Sequence, residues 1–434
     1  MKRISWLITI IVNIILFSTV SFAEQMAKSV DEKVTIRWHN YNLAYAGAGR
    51  EATEELISSF NANNPNITIE GVAVPVPEMG SRLQAEMLAG DPPDIIQVIL
   101  SDISFIADSY ALPSLDEILP EDEAKDHFSG MVQTGLELGK VQGKMVALPY
   151  VFSTPVLFYN ADIFREAGLD PNRPPATWSE IKETAIQIKE KTGNVGFLAG
   201  IFGPGAFDWL YQGIIKSNGG QVISDDRKKM TFASPEGIEA MEILRDIAST
   251  GAFTNVPSTN AQENFAAGKV GMYLQTSAVQ ARMVKAAKGN WEIRASKMPS
   301  FGSKKPAPTN SGSGLMIVTK DPVKRRAAWE FIKHVTSDYG YTIIASKIGY
   351  VPLRMSAVES ENYLAPWYRE NPLAKVNLEQ LKDLSQWVPL AGSNYVQIRQ
   401  IMMNASEEAV FKQNINVADH LKAAEKRANA LMPK

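Results

Sequence analysis

The stretch Leu148–Asn160 reads Leu-Pro-Tyr-Val-Phe-Ser-Thr-Pro-Val-Leu-Phe-Tyr-Asn, and it restricts the fold more than any other part of the chain. Pro149 and Pro155 each remove a backbone donor and fix φ, so no helix can run through it. The β-branched and aromatic residues on either side favour strands. A strand broken at Ser153-Thr154-Pro155 can leave one sheet and enter another, which is how a chain passes between two lobes. An edge strand with a proline bulge is the alternative.

Length points the same way. At 434 residues the chain exceeds what one core accommodates, and two or three domains are expected. Apolar residues at 45% and charged residues at 21% place it among globular proteins rather than disordered ones. Residues 1–23 stand apart: Lys2 and Arg3 precede an apolar run from Ile4 to Val20, and Ser21-Phe22-Ala23 offers small residues for cleavage. This predicts a secretory signal peptide cut after Ala23. A membrane anchor is the alternative, but the run is short and interrupted by Ser5, Thr9 and Asn13.

The chain carries a net charge of −3, and losing Lys2 and Arg3 makes it two charges more negative. No electrostatic case for nucleic-acid binding exists. Cysteine is absent, so an exported form must rest on its cores rather than on disulfides. Lipid attachment of the bacterial lipoprotein type is excluded for the same reason. The expected location is the periplasm of a Gram-negative bacterium.

In order, Val34–His39 alternates as a strand, 49–62 has helical spacing, and Asn66–Glu70 is a second strand. A helix around 81–89 leads to the turn Gly90–Asp94 and to the apolar run Ile95–Leu100. This β-α-β-α-β alternation predicts a parallel sheet with right-handed crossovers. Later helices are expected near 179–192, after the cap Ser234-Pro235, at 261–268 and at 327–336. A strand is expected at 270–274, and 378–432 reads as largely helical. Asn310-Ser311-Gly312-Ser313-Gly314, followed by the strand-like 315–318, has the small residues of a second crossing.

Gly47-Ala48-Gly49-Arg50-Glu51-Ala52 fits G-x-G-x-x-A, with Glu70 further on where a dinucleotide fingerprint wants an acid. The connection after His39 is too long for the tight turn a pyrophosphate needs, so a plain loop and helix start is expected. His39, His127, His334 and His420 lack ligand-spaced partners, and no nucleophile elbow surrounds Ser313. No cofactor, metal or catalytic residue is therefore assigned. Among the aromatic residues, Tyr41, Trp209 and Tyr350 are best placed to offer flat faces to a sugar, while most rings belong to cores.

After the first crossing come Ala167-Gly168-Leu169-Asp170-Pro171 and Pro174-Pro175-Ala176-Thr177-Trp178. Together with Ser153-Thr154-Pro155-Val156-Leu157 these runs resemble the extracellular solute-binding proteins of ABC importers, the family that includes maltose- and glycerol-3-phosphate-binding proteins. Weaker echoes cover most of the mature chain, among them Trp38-His39 and Gly349-Tyr350-Val351-Pro352. The resemblance implies an α/β fold of two lobes joined by three crossings, the periplasmic binding protein fold. Lobe 1 is expected over 24–152 and 314–351, and lobe 2 over 156–310 and 355–434. Each lobe is expected to hold a mostly parallel sheet, and the third crossing is expected at Gly349–Leu353.

It further implies that the lobes close on a small-molecule sugar or polyol, that the closed form docks on the transmembrane subunits of an ABC permease, and that the chain acts as a monomer. The ligand-binding candidates are His39, Tyr41, Ser101, Ser153, Trp209, Thr276, Ser277, Gly312, Ser313, Tyr350 and Asn394. Two anchors of the glycerol-3-phosphate-binding members are missing: their acid falls on Leu100, and the arginine that meets their ligand falls near Ala391. Arg399 belongs to a matching Gln-Ile-Arg. A phosphate needs fixed donors, so the departure favours a neutral ligand over glycerol-3-phosphate or a phosphodiester. The competing classes are a secreted carbohydrate-active enzyme and a solute sensor.

Overall fold

The computed structural model describes residues 26–203, 208–390 and 392–433; the expected signal peptide at 1–23 and Ala391 lie outside the described residues. Eleven strands are present among the described residues: β1 (Val34–Asn40), β2 (Ile67–Ala73), β3 (Ile95–Ile99), β4 (Lys140–Val141), β5 (Lys144–Met145), β6 (Leu148–Ser153), β7 (Pro155–Asn160), β8 (Val195–Ala199), β9 (Val270–Thr276), β10 (Ile293–Lys297) and β11 (Ser311–Ile317). They form a sheet ordered β2-β1-β3-β11-β6, a second ordered β10-β7-β9-β8, and the small ribbon β4-β5. The proline-interrupted stretch behaves as its residues dictate. β6 ends at Ser153 in the first sheet, β7 starts at Pro155 in the second, and Thr154 alone lies between them.

The expectation of mostly parallel sheets is corrected. β1 pairs parallel with β2 and β3, whereas β11 runs antiparallel to both β3 and β6. In the second sheet β8 and β9 are parallel, and β7 is antiparallel to β9 and β10. The cause is the crossings themselves. β7 and β11 each enter their sheet from the other lobe, so each starts at the end where its neighbours finish. The registers show this directly, with Pro155 opposite Thr276 and Ser313 opposite Ile99. Both sheets thus turn the C-terminal ends of their remaining strands towards one cleft, the place where open α/β sheets bind ligands.

Helices α1 (Ala48–Asn63), α2 (Met79–Ala89) and α3 (Ile103–Tyr110) connect or follow the first three strands. The Gly47–Ala52 motif is the start of α1, reached after a short 3-10 turn at Asn42–Ala44. The first core is centred on Trp38, fully buried, with its ring edge-on to Phe331 at 5.0 Å and to Tyr150 at 5.9 Å. In the second lobe the helix Trp178–Thr192 opens with a capping box: Glu180 N–H donates to Thr177 Oγ1 at 3.2 Å, and Thr177 N–H donates to the Glu180 carboxylate at 3.0 Å.

Three further expectations change. The region 378–432 is interrupted by non-helical chain at 384–390, within which Ser385 bridges to Thr309, and by a bend and turn at 392–394 before the helix Tyr395–Phe411. β11 starts at Ser311, so the first sheet claims Ser311–Ser313 ahead of the expected boundary at 314. Gly349–Leu353 touches the crossing, since Val351 N–H donates to Phe152 O at 3.0 Å, but the chain then returns to the first lobe. Ala357, Leu364, Tyr368 and Ala374 share a small core with Ala345, and Ser356 Oγ donates to Asp338 Oδ1 at 2.6 Å. The passage to the second lobe follows at 371–380, where Asn377 and Gln380 meet Thr154 and Pro155. Apolar packing on the 338–348 segment decides this, and the Gly-Tyr-Val-Pro signal does not report it.

His127 and Arg354 fasten that returning segment. Arg354 donates to His127 Nδ1 at 3.0 Å, leaving Nε2–H to donate to Thr336 Oγ1 at 2.8 Å, whose own proton goes to Ile332 O. The imidazole is therefore neutral, and burial with the Arg354 and Lys333 charges pushes its pKa down to about 3. A histidine whose folded pKa lies below its unfolded value stabilises above about pH 6.5 and loses that contribution as pH falls towards 3. Glu123, held by Arg326 and Lys333 and lowered to about 2, adds a second loss from about pH 4.5 downward. The melting midpoint should fall from pH 6.5 to pH 5, and His127→Gln should flatten that interval while leaving the steeper drop below pH 4.5. Gly312 sits at φ +155°, and a Cβ there would stand 2.2 Å from Val151 O. Gly312→Ala should cost about 3 kcal/mol or more in urea unfolding, because the obstacle is backbone.

Candidate functional site

The cleft floor is the crossing. Thr154 N–H donates to Ser277 Oγ at 3.3 Å and Ser277 N–H returns to Thr154 O at 2.9 Å. Thr154 Oγ1 donates to Asn377 Oδ1 at 2.8 Å, and Gln380 Nε2 donates to Pro155 O at 2.9 Å. Thr276 Oγ1 donates to Ser153 Oγ, joining the two expected serine and threonine positions across the sheets. Gly312 O accepts from Leu100 N–H at 3.0 Å, so its role here is close backbone approach between β3, β11 and β6.

Just inside the first sheet, Tyr41, Ser313 and Tyr350 come together. Tyr41 OH donates to Ser313 Oγ at 3.1 Å, Gln97 Nε2 donates to the same oxygen at 2.9 Å, and the Tyr350 phenol pairs with that of Tyr41. Burial raises both tyrosines above the ordinary phenol range, so they are neutral hydrogen-bonding groups at any physiological pH. Gln97 Oε1 is buried with no hydrogen-bond partner among the described residues, as is Nδ2 of Asn310 at the second crossing. Buried polar atoms of this kind are normally satisfied, so both mark places for a ligand or solvent oxygen or hydroxyl.

A charged group lies next to this neutral one. Ser101 Oγ donates to Asp102 Oδ1 at 2.9 Å at the head of α3. Across the cleft, Asp208 opens the helix Asp208–Ser217 and accepts from Gln212 Nε2 at 2.8 Å and from Trp387 Nε1 at 3.2 Å. Burial raises the pKa of both carboxyls, and the Arg399 charge opposes that rise in each. Tyr395 hydrogen-bonds Asp102, and its ring lies 5.3 Å from Phe105, so the two lobes meet here. The Arg399 charge thus acts on both carboxyls, one from each lobe.

The remaining candidates are elsewhere. His39 points to the opposite face of the sheet, its Nε2 3.1 Å from Glu86 on α2, with its pKa lowered by burial. Trp209 follows Asp208 and is 5% exposed within the main core. Asn394 is exposed at the start of the helix Tyr395–Phe411 and donates to Leu431 O at 3.2 Å. The sequence reading missed Gln97, Asp102, Asp208 and Tyr395. Asp102 and Asp208 adjoin the nominated Ser101 and Trp209, but no periodicity relates two acids so far apart in the chain. Among the described residues no group of three metal-ligating side chains occurs, and no helix is long and apolar enough to cross a membrane.

Known proteins are similar to this chain over most of its length. Residues 55–375 match the family described as bacterial extracellular solute-binding protein. The sn-glycerol-3-phosphate-binding periplasmic protein of Brucella melitensis is 27% identical over 422 residues, covering 91% of this chain and 92% of that protein. The cyclic α-maltosyl-1,6-maltose binding protein of Arthrobacter globiformis superposes with a TM-score of 0.80 at 24% identity, covering 92% and 99% of the two chains. UgpB of Mycobacterium tuberculosis, in complex with glycerophosphocholine, gives 0.77 at 22% identity, covering 92% and 98%. These last two likenesses establish the two-lobed fold.

The crossing makes a stability prediction. Thr154→Val keeps the shape but leaves the buried Asn377 Oδ1 without its donor, and should cost roughly 1–3 kcal/mol in denaturant unfolding. A loss near zero would mean that Asn377 finds another partner and that the hydroxyl does not tie the crossings.

Proposed function

This chain belongs to the bacterial extracellular solute-binding proteins, and from that premise we propose that it captures a neutral sugar or related polyol in the periplasm for an ABC importer. The ligand stabilises the closed arrangement of the lobes because only that arrangement offers it both walls. The closed form is then read by the permease's transmembrane subunits, with the chain acting as a monomer released by signal-peptide cleavage. It performs no catalysis itself.

The observation that carries the neutral-ligand reading is the Tyr41–Gln97–Ser313–Tyr350 cluster with its unpartnered Gln97 oxygen. Hydroxyl and amide groups of this kind match sugar hydroxyls, and the aromatic rings supply apolar faces for sugar C–H surfaces. A glycerol-3-phosphate or glycerophosphodiester ligand is the second reading, favoured by the glycerol-3-phosphate named for the Brucella relative and the glycerophosphocholine held by the Mycobacterium one. Against it stands Ala391 in place of the arginine.

Thermal unfolding of the mature protein against sugars, polyols and glycerol phosphates separates the two. A ligand at about 100 times its Kd adds roughly 2.7 kcal/mol and a clear midpoint shift. A neutral sugar or polyol should produce the shift, and Gln97→Ala and Tyr350→Ala should each weaken its binding about tenfold or more. A shift with glycerol-3-phosphate alone would overturn the neutral-ligand reading, and sugar turnover at catalytic protein levels would overturn binding as the activity.

A further inference from the structure

The first turn of α3, in the first lobe, is gripped by two separate elements of the second. Tyr395, at the start of the helix Tyr395–Phe411, hydrogen-bonds Asp102 and sets its ring 5.3 Å from that of Phe105. Arg227 comes from a different element. Its Nη1 donates to Ser104 Oγ at 2.9 Å, while Nη2 donates to Pro389 O in its own lobe at 3.0 Å. Asp108, one turn further along α3, attracts the same guanidinium. Ser104 is buried, so the tip of the arginine lies in the seam between the lobes rather than in solvent. All these contacts run directly from protein to protein, and none uses the Tyr41–Gln97–Ser313–Tyr350 cluster.

Arg227 is preset for this reach. Its backbone is in the left-handed region at φ +57°, which is uncommon for a residue other than glycine. Bonds within the turn fix it there. Asp226 Oδ1 accepts from Ser224 Oγ at 2.6 Å and from Lys228 N–H at 3.1 Å, and Ser224 Oγ accepts from Lys229 N–H at 3.0 Å. At the base of the turn Met230 N–H donates to Asn429 Oδ1 at 2.8 Å, and Asn429 Nδ2 donates back to Met230 O at 3.2 Å. Asn429 ends the final helix Val417–Asn429, so the turn moves with the second lobe as one piece. A costly backbone conformation persists only where its surroundings over-determine it, as these bonds do.

We propose that Arg227 and Tyr395 form a latch: they seize the first turn of α3 when the lobes close, and they hold a fraction of the molecules closed with no ligand bound. The inference rests on the lobe closure of the reading above and not on the class of its ligand. Rotation about the crossings opens the cleft and separates α3 from both residues, since they belong to opposite lobes. Closure is thus favoured by these fixed contacts as well as by whatever the ligand adds. A ligand that binds the closed arrangement gains apparent affinity in proportion to the fraction already closed. The latch therefore raises affinity for any occupant of the cleft by one common factor.

The test needs no ligand. The chain has no cysteine, so spin labels go only where cysteines are introduced. Glu51→Cys on α1 and Lys285→Cys on the helix Gln280–Ala287 are both exposed, one on each lobe. The mature protein is refolded from guanidinium to remove any carried ligand, and the distance between labels is measured by pulsed electron–electron resonance. Wild type should show a short, closed distance beside a longer, open one. Arg227→Ala should lower the ratio of closed to open about tenfold, the size expected for a hydrogen bond from a charged donor. Ser104→Ala removes the same bond from the other lobe and should lower the ratio too. The double variant should fall short of the product of the two losses, because they share one bond. Circular dichroism melts check that each variant folds, and Ser104→Ala carries the test if Arg227→Ala disturbs the turn. An unchanged ratio in both single variants would overturn the latch, and so would a wild type with no closed component. Losses that multiply in full would overturn it as well, showing that the two residues act separately. Each of these results leaves the sugar reading standing, because no ligand enters the measurement.

Discussion

Thr154 is the single residue between two sheets, and its hydrogen bonds hold the molecule's geometry together. Its backbone exchanges bonds with Ser277 at the end of β9, and its hydroxyl reaches Asn377 on the last passage between lobes. The first and third crossings are thereby tied at one buried point. The second crossing joins them where Ser311 pairs with Ser153. A short connection of this kind leaves little freedom for the lobes to slide, so the motion that remains is rotation about the crossings, the hinge mode of domain closure.

The same constraint explains why both sheets are mixed. A strand that continues from a neighbouring sheet starts at the cleft, while strands reached through a helix end there. β7 and β11 are of the first kind and β2, β3, β8 and β9 of the second. Ligand groups therefore come from strand ends, from the starts of β7 and β11, and from the helix starts that follow. Asp102 at the head of α3 and Asp208 at the head of its helix are in such positions, where the helix dipole favours a carboxylate that burial otherwise disfavours.

Electrostatics divides the cleft into two regions. The inner region is phenol, amide and hydroxyl, neutral over the physiological range because burial holds Tyr41 and Tyr350 protonated. The outer region sets arginines beside carboxyls, Arg399 with Asp208 of its own lobe and Asp102 of the other, and Arg227 beside Asp108 across the lobes. In water such pairs contribute little, but between closing lobes they lose solvent and their geometry becomes selective.

Much of this was legible in the sequence. Pro149 and Pro155 within apolar β-formers determine two strands and a break, and Thr177 with Glu180 determines a helix start, because proline geometry and capping act over a few residues. Tyr41, Ser313 and Tyr350 could be nominated as polar or aromatic residues at element ends. Tertiary structure alone decided that Gln97 would join them, that His39 would turn to Glu86 on the other sheet face, and that the last passage between lobes would come at Asn377 rather than Tyr350. It alone brought Asp102, Asp208, Arg227 and Arg399 to one interface. Those contacts join residues more than a hundred positions apart through the packing of two cores, and no local periodicity or propensity records where two such cores will meet.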